Sequence, residues 1–78
     1  MLSQNWRRVV EMTLNEALDF IDVGNQHILV SNKDANEYYY NYLYQLEEDE
    51  ENRERLLSSE VLNVDIDGCD NTVIFYLW

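Results

Sequence analysis

Proline is absent from this chain of 78 residues, and glycine occurs only at Gly24 and Gly68. Because these two residues are the strongest breakers of regular structure, their scarcity predicts helices and strands joined by short connections. Cys69 is the single cysteine, so we expect no internal disulfide and a cytoplasmic protein. The chain contains no apolar run of about 18 residues and no signal-peptide pattern, so we expect neither a membrane span nor secretion.

Basic residues are also scarce, since 5 Lys and Arg stand against 16 Asp and Glu, for a formal net charge of −11. Nucleic-acid phosphates and anionic membranes would repel such a chain, so we expect it to bind neither directly. The charge exceeds the magnitude of about 2–8 that keeps a small domain soluble. Because self-repulsion destabilises a compact state, the excess of negative charge calls for a reason. An apolar content of 46% is typical of a folded chain, and its length predicts one domain, residues 1–78.

Catalytic and metal-binding patterns are missing. His27 is the only histidine and has no nucleophile or orienting group near it in sequence, which favours a structural role. Together with Cys69 it supplies too few ligands for structural zinc. The segment 65–71 resembles part of a calcium loop, but its glycine is misplaced and no glutamate closes it, so a hairpin turn is the better interpretation. We expect no enzyme, no cofactor and no metal.

An amphipathic helix is predicted over residues 3–22, with Ser3 as its N-cap and Gly24 just beyond its end. Apolar residues recur there at helical spacing and form one stripe. The stripe consists of Trp6, Val9, Val10, Thr13, Leu14, Ala17, Leu18 and Ile21. Residues 26–31 follow as a short strand rich in β-favouring side chains.

A second helix is predicted to begin at Asp34, which would cap it together with Glu37. Tyr39, Leu43 and Leu46 then follow helical spacing. The acidic run, residues 47–51, comes next, and the pattern leaves open whether the helix continues through it.

Two strands end the chain. From residue 61 to 67 the hydrophobic period is two, residues 68–71 provide a turn, and residues 72–78 are apolar on both faces. A strand covered on both faces or central in its sheet has that pattern. The predicted fold is therefore α+β in the order α-β-α-β-β, with two helices on one face of a three-stranded sheet that ends in a C-terminal hairpin.

A tyrosine cluster occupies residues 38–44, where five of seven residues are tyrosine. On a helix these side chains would point in all directions, so some would be exposed. One interpretation places Tyr39 and Leu43 in the core. The other makes the cluster an interface, because tyrosine offers a large area and a polar tip.

The carboxylates are the strongest functional candidates. Side chains three or four apart on a helix lie about 5–6 Å apart, and Asp65 and Asp67 about 6.6 Å apart along a strand, comparable with successive phosphates. Such a surface could enter a basic groove meant for nucleic acid, although a merely solvated face remains the alternative. The candidate partner-binding residues are Glu47, Glu48, Asp49, Glu50, Glu51, Glu54, Tyr40, Tyr44, Asp65 and Asp67.

In size, acidity, aromatic content and lack of catalytic motifs, the chain resembles the phage-encoded DNA-mimic inhibitors, which include anti-CRISPR and anti-restriction proteins. The resemblance implies a partner that normally binds nucleic acid, such as a nuclease complex or repair enzyme, and action in the host cytoplasm. The alternative is a small accessory or assembly subunit, monomeric or homodimeric, that buries its exposed tyrosines and C-terminal strand against another chain.

Overall fold

The computed structural model describes residues 12–78, which form one mixed sheet and three short helices. The helices are α1 (Leu14–Phe20), α2 (Leu43–Glu47) and α3 (Arg53–Leu57). The strands are β1 (His27–Ser31), β2 (Glu37–Tyr40), β3 (Val61–Asp67) and β4 (Thr72–Leu77). The order across the sheet is β2-β1-β4-β3, with β1 parallel to β4 and the other pairs antiparallel. The class is α+β, but the predicted three-stranded sheet with two helices is wrong.

The error arises at the segment that follows β1. Asn32 turns the chain there, because its side-chain Oδ1 accepts hydrogen bonds from the backbone N–H groups of Asp34 and Asn36, both at 3.0 Å. Ala35 takes a left-handed backbone conformation with φ of 65°, which a helix beginning at Asp34 would not allow. Residues 37–40 therefore pair with β1 as a strand, in keeping with the β preference of tyrosine.

The predicted helix over 3–22 is shorter where the structure describes it. Thr13 has extended backbone angles and forms a bridge with Glu60, so α1 begins only at Leu14. The Thr13 side chain accepts the backbone N–H of Glu16, whose carboxylate accepts the backbone N–H of Thr13, which completes a capping box. The predicted cap Ser3 and the apolar residues Trp6, Val9 and Val10 lie outside the described residues.

Gly24 does not directly terminate α1, since the helix ends at Phe20 and Ile21 is its cap. Gly24 instead turns the chain toward β1 with φ of 54°, a conformation that favours glycine. Its backbone N–H donates to Asp22 Oδ1 at 3.0 Å.

The acidic run interrupts the helical segment. α2 ends at Glu47 and α3 begins at Arg53, so one helix does not continue through residues 47–51. The Arg53 side chain donates to the carbonyl of Glu47 at 3.0 Å and joins the two short helices.

The two C-terminal strands are confirmed, and β4 lies between β1 and β3, which is one of the two alternatives that its apolar faces left open. One face carries the core. Leu14, Leu46 and Leu56, one from each helix, are buried in the same cluster as the β4 side chains of Val73, Phe75 and Leu77. The three helices therefore pack on this covered face. No helix among residues 12–78 is long and apolar enough to cross a membrane.

Candidate acidic and aromatic interaction surface

The acidic run presents most of its carboxylates to solvent. Glu47, Glu48, Glu50 and Glu51 are exposed at the junction of α2 and α3, and Glu54 is exposed on α3. Tyr44, 53% exposed, lies three and four residues before Glu47 and Glu48, so these side chains share one side of α2. The structure thus brings three of the predicted residues, Tyr44, Glu47 and Glu48, onto one side of α2.

Asp49 differs from the rest of the run because its carboxylate is occupied within the fold. Its Oδ2 accepts the hydroxyl of Tyr40 at 2.7 Å and the side-chain amide of Asn52 at 3.0 Å. These hydrogen bonds favour the ionised form and hold the pKa of Asp49 below its ordinary value. Asp49 therefore positions the run and is less free than its neighbours to meet a partner.

Tyr40 is a core residue, only 9% exposed, at the end of β2. Burial, followed by the hydrogen bond to Asp49, raises the pKa of Tyr40 well above that of a free tyrosine. The hydroxyl therefore stays protonated and donates. The ring of Tyr40 is buried and its hydroxyl donates to Asp49, so Tyr40 holds the acidic run in place and is not accessible to a partner. Tyr44, which is exposed, is the tyrosine that a partner would contact.

The guanidinium groups of the two arginines near the acidic run donate hydrogen bonds to uncharged oxygen atoms. Arg53 donates to the Glu47 carbonyl, as described above. Arg55 lies over the Tyr38 ring at 5.3 Å, donates to the Tyr38 hydroxyl at 3.2 Å and also to the side-chain oxygen of Asn52. The hydrogen bond to Tyr38 raises the pKa of Arg55. These contacts join α3 to β2 and leave the exposed glutamates of the run in contact with solvent.

Asp65 and Asp67 are not part of the same surface. Asp65 pairs with Ile74 and Asp67 with Thr72, which alternation places on the sheet face opposite the helices. We call it the open face, because none of the helices within residues 12–78 packs on it. Asp67 Oδ1 also accepts the backbone N–H groups of Cys69 and Asp70, at 3.1 and 3.3 Å, and so shapes the β3–β4 turn. The fold separates these two carboxylates from the acidic run.

A row of aromatic rings runs along one end of the sheet. The centroid of the His27 ring lies 5.8 Å from that of Tyr39 and 6.4 Å from that of Tyr42. Tyr42 and Tyr44 follow with nearly parallel rings, 5.9 Å apart and inclined by 10°. This aromatic row (Tyr39, His27, Tyr42 and Tyr44) leads from the open face to the acidic run. The tyrosine cluster therefore divides, with Tyr40 in the core and Tyr39, Tyr42 and Tyr44 exposed. The interpretation that placed Tyr39 in the core is wrong.

Two open grooves adjoin the aromatic row. The first, of about 510 Å³, is lined by Gly24, Asn25, Tyr42, Leu43 and Tyr44. The second, of about 400 Å³, shares Gly24 and Leu43 and extends along the end of α1 past Asp19, Phe20 and Asp22. Phe20 is 77% exposed there. The two grooves adjoin at Gly24 and Leu43, and we refer to them together as the aromatic groove, the second part of which is lined by carboxylates.

Phe20, Tyr39 and Tyr42 are surface residues that the sequence analysis missed. The helical interpretation of residues 34–46 assigned the tyrosines to the wrong element, and strand alternation from β1 onward would have placed Tyr39 outward. Phe20 interrupts the polar side of the first helix between Asp19 and Asp22, and this position in the sequence could have indicated that its side chain is exposed.

Residues 12–78 contain few side chains arranged for metal binding or catalysis. No group of three or more His, Cys, Asp or Glu side chains within residues 12–78 is arranged to hold a metal ion. His27 Nδ1 lies 3.1 Å from the carbonyl of Asn41, so this nitrogen carries the proton and donates, which ties β1 to the segment before α2. Cys69 is an exposed thiol in the β3–β4 turn.

Comparison of the chain with protein-family models, curated proteins and solved structures finds no match.

Proposed function

We propose that this protein is an acidic blocker that occupies a basic nucleic-acid-binding site on a partner protein by charge mimicry. The observation that carries the proposal is the acidic run, whose exposed glutamates follow one another around the α2–α3 junction. The net charge of −11 adds a long-range attraction toward any basic surface.

The internal hydrogen bonds of the acidic run support this function. Asp49 is held by Tyr40 and Asn52, and the Arg53 side chain fixes the Glu47 backbone. A carboxylate array that is already ordered loses less conformational entropy on binding than a mobile acidic loop. Such an array can present negative charge at fixed spacing, as a nucleic-acid strand does.

A phage-encoded inhibitor that acts in the host cytoplasm is the specific form of this proposal. It combines the compositional resemblance with the single cysteine and the surplus of carboxylates. The partner would be a nuclease complex or another protein with a groove for nucleic acid.

The test is displacement of a labelled DNA duplex from a panel of purified DNA-binding nucleases and repair enzymes. We expect the protein to release DNA from at least one of them, and less effectively as salt rises from about 50 to 200 mM. Replacing Glu47, Glu48 and Glu51 by lysine should weaken this competition at least about tenfold, because like charges would then meet.

A matched control variant carries lysine at Asp34, Glu37 and Asp70, which are exposed and lie in or next to the turns of the sheet. It changes the net charge by the same amount and should compete nearly as well as the unaltered protein. Equal weakening by both variants would show that only the total charge matters. Undiminished competition by the run variant would refute the acidic run as the site.

A second candidate function, an assembly subunit that self-associates, is favoured by the open face. Tyr39, Leu29 and Ile74 lie side by side across β2, β1 and β4, and Tyr76 follows Ile74 on the same face of β4. Tyr39 is 56% exposed and Tyr76 38%. A homodimer through this face would strengthen as salt screens the repulsion between copies. Sedimentation at low and high salt tests it, and a monomer under both conditions refutes it.

A further inference from the structure

We infer that the aromatic groove binds an arginine side chain of the basic partner. The inference rests on the proposed function and specifies how the partner is held beside the acidic run. Tyr44 belongs to both surfaces, since its ring lines the groove and its position on α2 is one turn before Glu47 and Glu48. A segment of the partner that binds along Glu47 and Glu48 would therefore also lie beside the aromatic groove.

The groove has the aromatic walls that a guanidinium prefers. The rings of Tyr42 and Tyr44 are nearly parallel, and the two residues are 42% and 53% exposed, so part of each side chain is accessible to a ligand. A cation within about 6 Å of such a ring is attracted by its quadrupole. Gly24 lines the same groove without adding a side chain to it, and its positive φ disfavours any other residue at this position.

Carboxylates complete the site at the far end of the groove. Asp19 and Asp22 both line it, and Asp22 is oriented by the hydrogen bond from Gly24 to its Oδ1. The second oxygen of Asp22 has no partner of this kind within the described residues. Aromatic faces followed by carboxylates match the two recognition modes of arginine, stacking and charge-assisted hydrogen bonding.

The protein contains the same interaction within its own fold. The Arg55 guanidinium lies 5.3 Å from the centroid of Tyr38 and donates to its hydroxyl. The Lys33 ammonium lies 4.8 Å from the centroid of Trp78. Tyr42 and Tyr44 offer similar ring faces that are exposed and lie near carboxylates, so charge complementarity selects a cationic occupant. Arginine suits the groove better than lysine, because its planar group stacks and is more weakly hydrated.

The experiment compares short poly-arginine and poly-lysine peptides of equal length by calorimetric titration. We expect the unaltered protein to bind poly-arginine about fivefold more tightly, and we expect the amide NMR signals of Gly24 and Asn25 to shift with it. A double variant, Tyr42→Leu with Tyr44→Leu, should bind both peptides equally. Asp22→Asn retains an oxygen for the Gly24 hydrogen bond and should reduce poly-arginine binding.

The matched control replaces two exposed aromatic residues elsewhere, Tyr76→Leu with Trp78→Leu, and should leave the arginine preference intact. Circular dichroism confirms that each variant is folded. An arginine preference that survives in the Tyr42/Tyr44 variant would overturn the groove assignment. The lysine variant of Glu47, Glu48 and Glu51 separates the two proposals: if it loses both peptides while the double tyrosine variant behaves like the unaltered protein, the acidic run stands and the groove assignment fails.

Discussion

The two faces of the sheet are built from the same strands but have different surroundings. On the covered face, Val30 and Phe75 lie under the three helices and are fully buried. On the open face, their chain neighbours Leu29 and Tyr76 remain partly or largely exposed. Because side chains alternate along a strand, a shift of one residue moves a side chain from one environment to the other.

This difference separates stability from recognition. The covered face contains the core and holds Tyr40 against Asp49, so it positions the acidic run. The exposed aromatic residues lie on the open face and along the end of the sheet. Residues that are adjacent in sequence and similar in type therefore have different roles, one in stability and the other in recognition. Substituting both members of such a pair tests which role each has.

The largest effect is expected for Phe75→Ala against Tyr76→Ala. Phe75 is fully buried at the centre of β4, and its removal should destabilise the fold by about 3–5 kcal/mol. Tyr76 is on the open face, and its truncation should change the free energy of unfolding by less than about 1 kcal/mol. Chemical denaturation measures both, and similar losses would show that the open face is buried in solution.

A smaller difference is expected between Tyr40→Phe and Tyr39→Phe. The first removes a partly buried hydroxyl that donates to a carboxylate, which should reduce the free energy of unfolding by about 1.5–3 kcal/mol. The second removes an exposed hydroxyl next to it in sequence and should have almost no effect. Thermal unfolding of the two variants provides the comparison. If their stabilities are equal, the hydrogen bond from Tyr40 to Asp49 does not stabilise the fold.

The smallest effect is a pH dependence at Asp49. Its pKa is lowered in the fold, first by the Tyr40 hydroxyl and then by Asn52, relative to about 3.9 for a free aspartate. Its contribution to stability is therefore complete above that value and is lost as the pH falls through the lower folded pKa. The stability difference between the unaltered protein and Asp49→Asn should thus shrink below about pH 4.

Glu50→Gln is the control for this measurement, since it removes the same charge from an exposed neighbour. Its effect on stability should be small throughout the acidic range. A difference for Asp49→Asn that stays constant from neutral to acid pH would contradict the assigned hydrogen bonds.

Parts of this fold could be predicted from the sequence because their signals are local. β1, β3 and β4 have β-favouring residues or a period of two, and turn residues bound them. β2 was missed because Tyr39, Leu43 and Leu46 coincide with helical spacing although they lie on two different elements. The Asn32 turn that separates them depends on side-chain hydrogen bonds that a spacing pattern does not reveal.

The candidate site shows the same division. The acidic run and the surplus of tyrosine are evident in the sequence. Tertiary contacts decide which of these side chains are accessible to a partner. Asp49 is bound by Tyr40 and Asn52, whereas Glu47 and Glu48 face solvent. Asp65 lies on the opposite sheet face, because strand pairing determines its direction and spacing along the chain does not.

The sequence by itself therefore determined the charge and the α+β class, and it restricted β4 to a central position or to cover on both faces, since each follows from composition or from alternation within one strand. The tertiary structure decided that Tyr40 is buried with its hydroxyl on Asp49, and that Gly24 and Tyr42 line the same groove. These relations join residues from separate elements, and only the packing of helices on one face of the sheet brings such residues together.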